Sequence, residues 1–369
     1  MIYLDSAATT PVNPEVVKVV MDSLIDDWYN PSSRYYNARL VRKKIEDARQ
    51  TIAECIGAQP REIIFTSGGS ESNALALNST MGQTFAISSV EHESIRRLAK
   101  KLKYRILPVD NNGLIDYDYF NKLLEEEYIT KVSVQYVNNE TGVIQDIPRI
   151  VEMVKPLQLI VHTDAVQAFP HLPCNVNDIG VDMMSVSGHK FGAPKGIGFL
   201  YAKGIAPVHP LICGTQERER RGGTENVPYI LGLAKAVSER YLSEEIEKEK
   251  LRVYFESRLK ELGCTINCEN APRISSIISC TLPEGVIADY MVNCLRKNEI
   301  IVSAGSACHE SSGIPSHVLG AIGLTYDQID RTFRISLSSD TDYSQIDFVI
   351  GKMAGYIEDA AGRNLYTVV

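Results

Sequence analysis

The stretch SVSGHKFGAPKGIG, residues 185–198, places Lys190 directly after Ser187, Gly188 and His189 and ahead of a glycine- and proline-containing turn. A lysine kept for solubility needs no such setting. A lysine that must bring its amine against a flat ligand does, because small neighbours let the backbone approach closely. Four other polar groups also follow short apolar runs. Ser67-Gly68-Gly69-Ser70 follows EIIFT and opens a helix-like stretch, where backbone N–H groups, the helix dipole and the Ser70 hydroxyl suit a phosphate. Glu91-His92-Glu93 follows AISSV, Asn138-Asn139-Glu140-Thr141-Gly142 follows VSVQYV, and Asp164-Ala165-Val166-Gln167 follows LIVHT. Each signal is weak alone. In order they supply phosphate donors, a ring that can stack, amides, a carboxylate and, about 25 residues later, a lysine, which is the set that pyridoxal phosphate (PLP) requires.

A metal centre built from His92, His162, Asp164 and His189 is the rival reading. Zinc ligands normally come in close pairs such as H-x-x-x-H or C-x-x-C, and neither pattern occurs. No metal is therefore expected. The chain also lacks the P-loop pattern and a G-x-G-x-x-G fingerprint opening a helix after a strand.

Residues at strand ends need a sheet to hold them. From Glu62 to Tyr201, apolar runs (EIIFTS, TFAISS, KVSVQYV, LIVHTDA, DMMSVSG, IGFLYA) alternate with helix-like stretches. That alternation predicts a mostly parallel sheet covered by helices, with ligands beyond the carboxyl ends of its strands. After Gly222-Gly223 the pattern changes. One long charged helix, ILGLAKAVSERYLSEEIEKEKLRVYFESRLKELG, is expected to stop at Gly263. ISSIISCTL, a helix near ADYMVNCLRK, EIIVSA, TFRISL and a terminal helix then suggest a smaller α+β unit. The expected division is a large PLP-binding domain over 15–225 and a small domain made of 1–14 and 226–369. The side on which the helix near NPEVVKVVMDSL packs stays open.

The bulk properties narrow the function. The 369 residues carry a net charge of −8 with no long Lys/Arg cluster, so no direct nucleic-acid partner is expected. No run of about 18 apolar residues predicts a membrane helix. MIYLDSAATT lacks the basic and apolar regions of a secretion signal. The eight cysteines form no C-x-x-C pair, so reduced and mostly buried thiols in a cytoplasmic protein are expected.

The motifs YLDSAATTP, NPSSR, TSGGSESNALAL, VEHESI, VNNETGVIQDI, HTDAVQAF, SVSGHKFGAPKGIGFLY, QERERRGGTENV, VSAGSACHESSGIPSHVL and FRISL run nearly end to end. In that order they resemble the cysteine desulfurases of the class V aminotransferase family. The resemblance implies a PLP-dependent transferase of fold type I, with a mostly parallel sheet of the seven-stranded type and a smaller α+β domain. It implies conversion of L-cysteine to L-alanine with an enzyme-bound persulfide, a homodimer, and a sulfur-acceptor or scaffold protein as partner. Iron–sulfur cluster assembly, tRNA thiolation and DNA sulfur modification all start from this chemistry. Matched by motif, Lys190 bonds the cofactor and His92 stacks on its ring and takes part in proton transfer. Asp164 pairs with the pyridinium nitrogen and Gln167 with the phenolic oxygen. Gly69, Ser70, Ser187 and His189 form the phosphate site, to which Thr224 of a second subunit reaches. Asn139 and Arg334 orient the substrate, and Cys308 carries the persulfide on a loop of the family's longer form.

Three positions depart from the family pattern: Ser6, Tyr36 and His309. The end GRNLYTVV is shorter than in relatives whose tail helps to dock a scaffold. Selenocysteine lyase or another small-amino-acid PLP transaminase or lyase is the nearest alternative, with Cys308 as the discriminator. A non-catalytic PLP-fold partner protein is the alternative from another class. Lys190, Asp164, Arg334 and Cys308 together argue against it.

Overall fold

The computed structural model describes residues 1–78, 83–204, 206–239, 245–304 and 315–362. Strand β1 (Ile2–Tyr3) and helices α1 (Pro14–Asp26) and α2 (Tyr36–Cys55) come first. An alternating series follows: β2 (Ile63–Thr66), α3 (Gly69–Asn78), β3 (Thr84–Ser88), α4 (Glu93–Ala99), β4 (Lys103–Leu107), α5 (Tyr117–Glu126), β5 (Lys131–Ser133), α6 (Ile147–Val154), β6 (Ile160–Asp164), α7 (Val176–Ile179), β7 (Met183–Ser187) and β8 (Gly198–Ala202). Helices α8 (Val227–Ser238) and α9 (Glu245–Glu261) precede β9 (Thr265–Ile266), β10 (Ile277–Thr281), α10 (Ala288–Arg296) and β11 (Ile300–Ile301). The last elements are α11 (His317–Ala321), α12 (Tyr326–Asp330), β12 (Thr332–Ser336) and α13 (Tyr343–Gly362).

The alternating half forms a seven-stranded sheet in the order β2-β8-β7-β6-β5-β3-β4. The pairs β7–β6, β6–β5, β5–β3 and β3–β4 are parallel, and β8 runs antiparallel to both of its neighbours. Five of its strands are covered on both faces: β2, β3, β5, β7 and β8 are buried throughout, and most of their residues are apolar or small. The strand expected to run from Lys131 to Val137 is shorter, since its ladder ends at Ser133. Beyond it, Val134 N–H and Tyr136 N–H still donate to His162 and Asp164 carbonyls, which keeps this segment beside β6.

A second apolar core lies around the antiparallel sheet β12-β10-β9, with Phe255, Leu259, Met291, Phe333 and Val349 among its members. The extreme N-terminus belongs to this side: β1 pairs in parallel with β11, and Leu4 joins the core.

Two expectations change. The long helix is instead two helices, because α8 ends at Ser238, where Glu239 N–H caps it on Lys235 O and Val237 O. Composition explains the break: α8 is largely apolar, whereas α9 is charged and buries only a few residues, Leu251, Phe255 and Leu259 among them. Helix α8 also packs against α1 and α2 and buries Val227, Ile230 and Leu233 in the larger core. On packing, the change from one core to the other therefore falls after α8 rather than at 225/226. The same contacts place α1, through Val16, on the larger core.

Candidate active site

The carboxyl ends of the strands open into a cavity of about 320 Å³. Gly69, Ser70, His92, Asn139, Asp164, Gln167, Ser187, His189, Lys190 and Arg334 all line it. Residues spread from 69 to 334 thus converge where strand-end logic puts a ligand.

Strand β7 ends at Ser187, and a single 3₁₀ turn over Gly188–Lys190 projects the lysine before β8 returns. Lys190 Nζ donates to Ala7 O at 2.7 Å and to Ala8 O at 2.9 Å. His189 Nδ1 lies 3.1 Å from Thr9 Oγ1. Burial, reinforced by Lys190 and Lys195, pushes the His189 imidazole down to about 4, so it is neutral near pH 7.

Asp164 ends β6. Its Oδ1 accepts from Val166 N–H at 2.9 Å and its Oδ2 from Asn73 Nδ2 at 2.6 Å. His92 caps α4, with Nδ1 accepting from Ser94 N–H at 3.1 Å. Glu91 beside it is fully buried, and its Oε1 accepts from Ser88 Oγ and Gln135 N–H. Burial raises its carboxyl to about 8, despite these hydrogen bonds, so it is mainly protonated at neutral pH. Gln167 Nε2 donates to Ala7 O at 2.8 Å, the carbonyl that Lys190 also uses.

The phosphate-like turn is built around two glycines. Gly68 has φ +144°, which side-chain-bearing residues rarely adopt, and a Cβ on Gly69 would lie 2.7 Å from Val166 Cγ2. Helix α3 starts there, so the N–H groups of its first turn lack intrahelical acceptors. Arg334 on β12 reaches in from the smaller sheet. Its Nη1 donates to Asn139 O at 2.8 Å and its Nη2 to Asp5 Oδ1 at 2.7 Å, while its buried Nε–H has no partner. A buried guanidinium with an unspent donor in a cavity fits a substrate carboxylate. These features fit PLP with an amino-acid substrate: a phosphate turn, an acid for the ring nitrogen, a lysine for the aldehyde carbon and an arginine for the carboxylate.

His162 is absent from the cavity lining. It is buried between Ser133 Oγ and Ser185 Oγ at 2.8 and 2.9 Å, and burial pushes it down to about 3. Thr224 is exposed and does not line the cavity either. Cys308 and His309 lie outside the described residues. Of the other cysteines, Cys174, Cys264, Cys268, Cys280 and Cys294 are buried, while Cys55 and Cys213 are exposed. The structure adds Asn73, Gln135, Glu140 and His317 to the lining. Asn73 had a sequence signal: it lies three residues after Ser70, so a helix puts both on one face.

The model of the family described as Aminotransferase class-V matches residues 2–349. The chain belongs to the aminotransferase class-V family. Within it, the curated relatives are cysteine desulfurases. The one from Dictyoglomus turgidum, named cysteine desulfurase IscS, is 38% identical, covering 97% of this chain and 94% of its own. A cysteine desulfurase IscS from Methanosarcina thermophila is 36% identical over 95% of this chain and 90% of its own. Among solved structures, a NifS-like protein superposes with a TM-score of 0.90 at 30% identity, covering 97% of this chain and 99% of its own. A structure titled SspA in complex with cysteine gives 0.82 at 32% identity, covering 91% and 99%. These class-V enzymes work with PLP, and the seven-stranded sheet and cavity described here are the family's α/β fold.

Proposed function

We propose that the protein is a cysteine desulfurase. It converts L-cysteine to L-alanine and holds the sulfur as a persulfide on Cys308 for transfer to an acceptor protein. The observation that carries this reading is the convergence of Lys190, Asp164 and Arg334 in one cavity. A relative's structure in complex with cysteine supports the same substrate. When bound, PLP supplies a conjugated electron sink for the electrons released at the amino acid's Cα.

The chain's own groups do the rest. Arg334 holds the substrate carboxylate through its unspent N–H donors, with Asn139 beside it. Asp164 keeps the ring nitrogen protonated, and His92 covers the ring. Ser70, Ser187 and the turn at Gly69 bind phosphate, and Gln167 faces the phenolic side. The Lys190 amine, once free, would take the Cα proton and at the end of the cycle would restore it to Cα, where alanine carries it. The Cys308 thiolate attacks the substrate sulfur. One S–S bond forms, the Cβ–S bond breaks with its electron pair left on the carbon, and that carbon gains a proton. Cysteine plus a thiol thus becomes alanine plus a persulfide, and no outside oxidant or reductant is needed.

The described residues flanking Cys308 support its assignment. Ser303 exchanges backbone hydrogen bonds with Arg334, and Ser316 Oγ donates to Glu140 Oε2 at 2.6 Å. Both flanks of the segment are therefore bonded to residues that line the cavity. Four residues of extended chain beyond Ala304 reach up to roughly 14 Å.

We infer a homodimer with Thr224 serving the partner's phosphate site. Helix α1 exposes Val17, Met21, Leu24 and Ile25 along one side, and Trp28 just after its end is exposed as well; Ile25 and Trp28 are 68% and 69% accessible. An exposed apolar side of this kind suits a subunit contact. The strap before Thr224 is held to its own subunit by Glu217, which accepts from Arg49 at 2.7 and 2.9 Å and from Phe65 N–H. No helix among the described residues is long and apolar enough to cross a membrane. We place the enzyme in the cytoplasm, where its thiols stay reduced.

Cys308→Ser tests the reading. The variant should bind PLP and cysteine yet release almost no sulfide or alanine. Mass spectrometry of wild-type protein treated with cysteine should find the extra sulfur on Cys308. Normal turnover by the variant would instead identify a transaminase or lyase that needs no thiol.

A further inference from the structure

Asn73 is buried on α3, and no motif reading gives it a task. Its Nδ2 donates to Asp164 Oδ2 at 2.6 Å and to Ser94 Oγ at 3.0 Å, so both amide protons are spent. Its Oδ1 is buried without a partner. The amide's orientation follows from chemistry: an ionised carboxylate only accepts, so the nitrogen must face Asp164. Burying a carbonyl unpaired is costly, and such a group in a native structure calls for a reason. The reason here is that the side chain is held for its two donors.

The second donor fixes a proton elsewhere. Because Ser94 Oγ receives a hydrogen bond from Asn73, its own single proton is available to His92 Nδ1, 2.8 Å away. Ser94 N–H also points at that nitrogen, at 3.1 Å. Two donors on Nδ1 require it to be unprotonated, which leaves the ring proton on Nε2. They also oppose an imidazolium, whose Nδ1–H would face the Ser94 N–H. Asp164, Asn73, Ser94 and His92 therefore form one continuous chain of hydrogen bonds. It joins the acid for the cofactor's ring nitrogen to the ring that covers the cofactor.

We propose that Asn73 is a positioning residue that orients the Asp164 carboxylate with one amide proton and, through Ser94, sets the tautomer of His92 with the other. The inference rests on Asp164 and His92 being the cofactor's partners. Its central measurement, however, needs no cofactor. A proton shuttling on and off His92 during turnover would exchange at Nε2, because Nδ1 stays tied to Ser94.

The test uses full-length protein with ¹⁵N-labelled histidine, with and without PLP, and a His92→Gln sample to assign the signal. Long-range ¹H–¹⁵N spectra should show His92 as the Nε2–H tautomer in the wild type. Ser94→Ala should weaken only the histidine branch, admitting a minor Nδ1–H population against the residue-94 N–H that remains, while PLP affinity stays within about twofold. Asn73→Leu, close in shape, should disturb the tautomer and also weaken PLP binding about tenfold or more, as loss of an outer-shell hydrogen-bond partner does at metal sites. Asn73→Ala serves if the leucine variant fails to fold. An Nδ1–H tautomer in the wild type would overturn the inference, as would an unchanged tautomer and PLP affinity in a folded Asn73 variant. Whether wild-type protein binds PLP at all is the separate check on the reading beneath.

Discussion

The two ends of the central sheet handle buried charge differently. At the amino end, Lys131 opens β5 and is almost fully buried. Its Nζ donates to Ala76 O at 2.6 Å and lies 3.8 Å from Met183 Sδ. It does not line the cavity described above, and its amine serves the end of α3. At the carboxyl end, Asp164 closes β6, also buried and hydrogen-bonded through both oxygens, but it lines the cavity. Burial alone therefore does not mark function here. What separates the two is polar capacity left unspent in a residue of the cavity lining: Arg334 lines the cavity and keeps a buried, unpaired Nε–H, whereas Lys131 is used for closure. His162, with both nitrogens engaged inside the sheet, belongs with Lys131 despite its residue type.

If that distinction holds, Lys190 and Lys131 must fail in opposite ways. Lys190→Ala should lose the absorbance band of bound PLP and lower turnover by about 10³-fold or more, with little change in thermal stability. Absorbance, a sulfide assay and calorimetry check this. Full turnover in Lys190→Ala, or the same loss in Lys131→Met with its fold intact, would break the comparison.

Arg334→Lys probes the unspent donors and should have the next largest effect. Lysine keeps the charge but cannot present the planar fork. Losing one charge-assisted hydrogen bond costs about 1.5–3 kcal/mol, so the KM for cysteine should rise roughly 10- to 100-fold. PLP affinity, measured by fluorescence titration, should stay within about twofold. Equal loss of both would show that Arg334 works mainly by holding Asp5 and Asn139 in place.

The carboxyl end was the more legible end in the sequence. His92, Asp164, Ser187 and Lys190 each sit just past or at the end of an apolar run, so local pattern alone put them at strand ends. The partners of Asn73 and Asp5 were not legible, because they lie 91 and 329 residues away; spacing from Ser70 puts Asn73 on the site's helix face but names no partner, and nothing local points to Asp5. Helix α1 was ambiguous for another reason. It buries Val16 and Ser23 yet exposes four large apolar side chains, so its core face cannot be told from its exposed side by periodicity. Lys131 was hidden altogether, since a lysine opening a strand ordinarily reads as a solvated end.

The smallest effect is a pH dependence at the amino end. Burial lowers the Lys131 ammonium from 10.5 to about 7, partly opposed by Asp182, and neutral His162 is the other titratable group beside it. Here a base is depressed in the folded state, so the sign differs from that of a lysine held in an ion pair. Below pH 7 both folded and unfolded chains carry the proton, and the folded state bears the full cost of burying the charge. Between about pH 7 and 10.5 the unfolded chain holds a proton that the folded chain has released, so stability rises with pH across that window. The slope should approach roughly 1 kcal/mol per pH unit. Lys131→Met removes this titration and also the Nζ–H donated to Ala76 O, which adds a pH-independent offset. The quantity to measure is therefore the difference in urea unfolding free energy between wild type and variant at pH 6.5, 8 and 9.5. That difference should move steadily in favour of the wild type as pH rises. A flat difference would mean that Lys131 stays charged in the folded protein, and that the amino end tolerates an ammonium better than its burial implies.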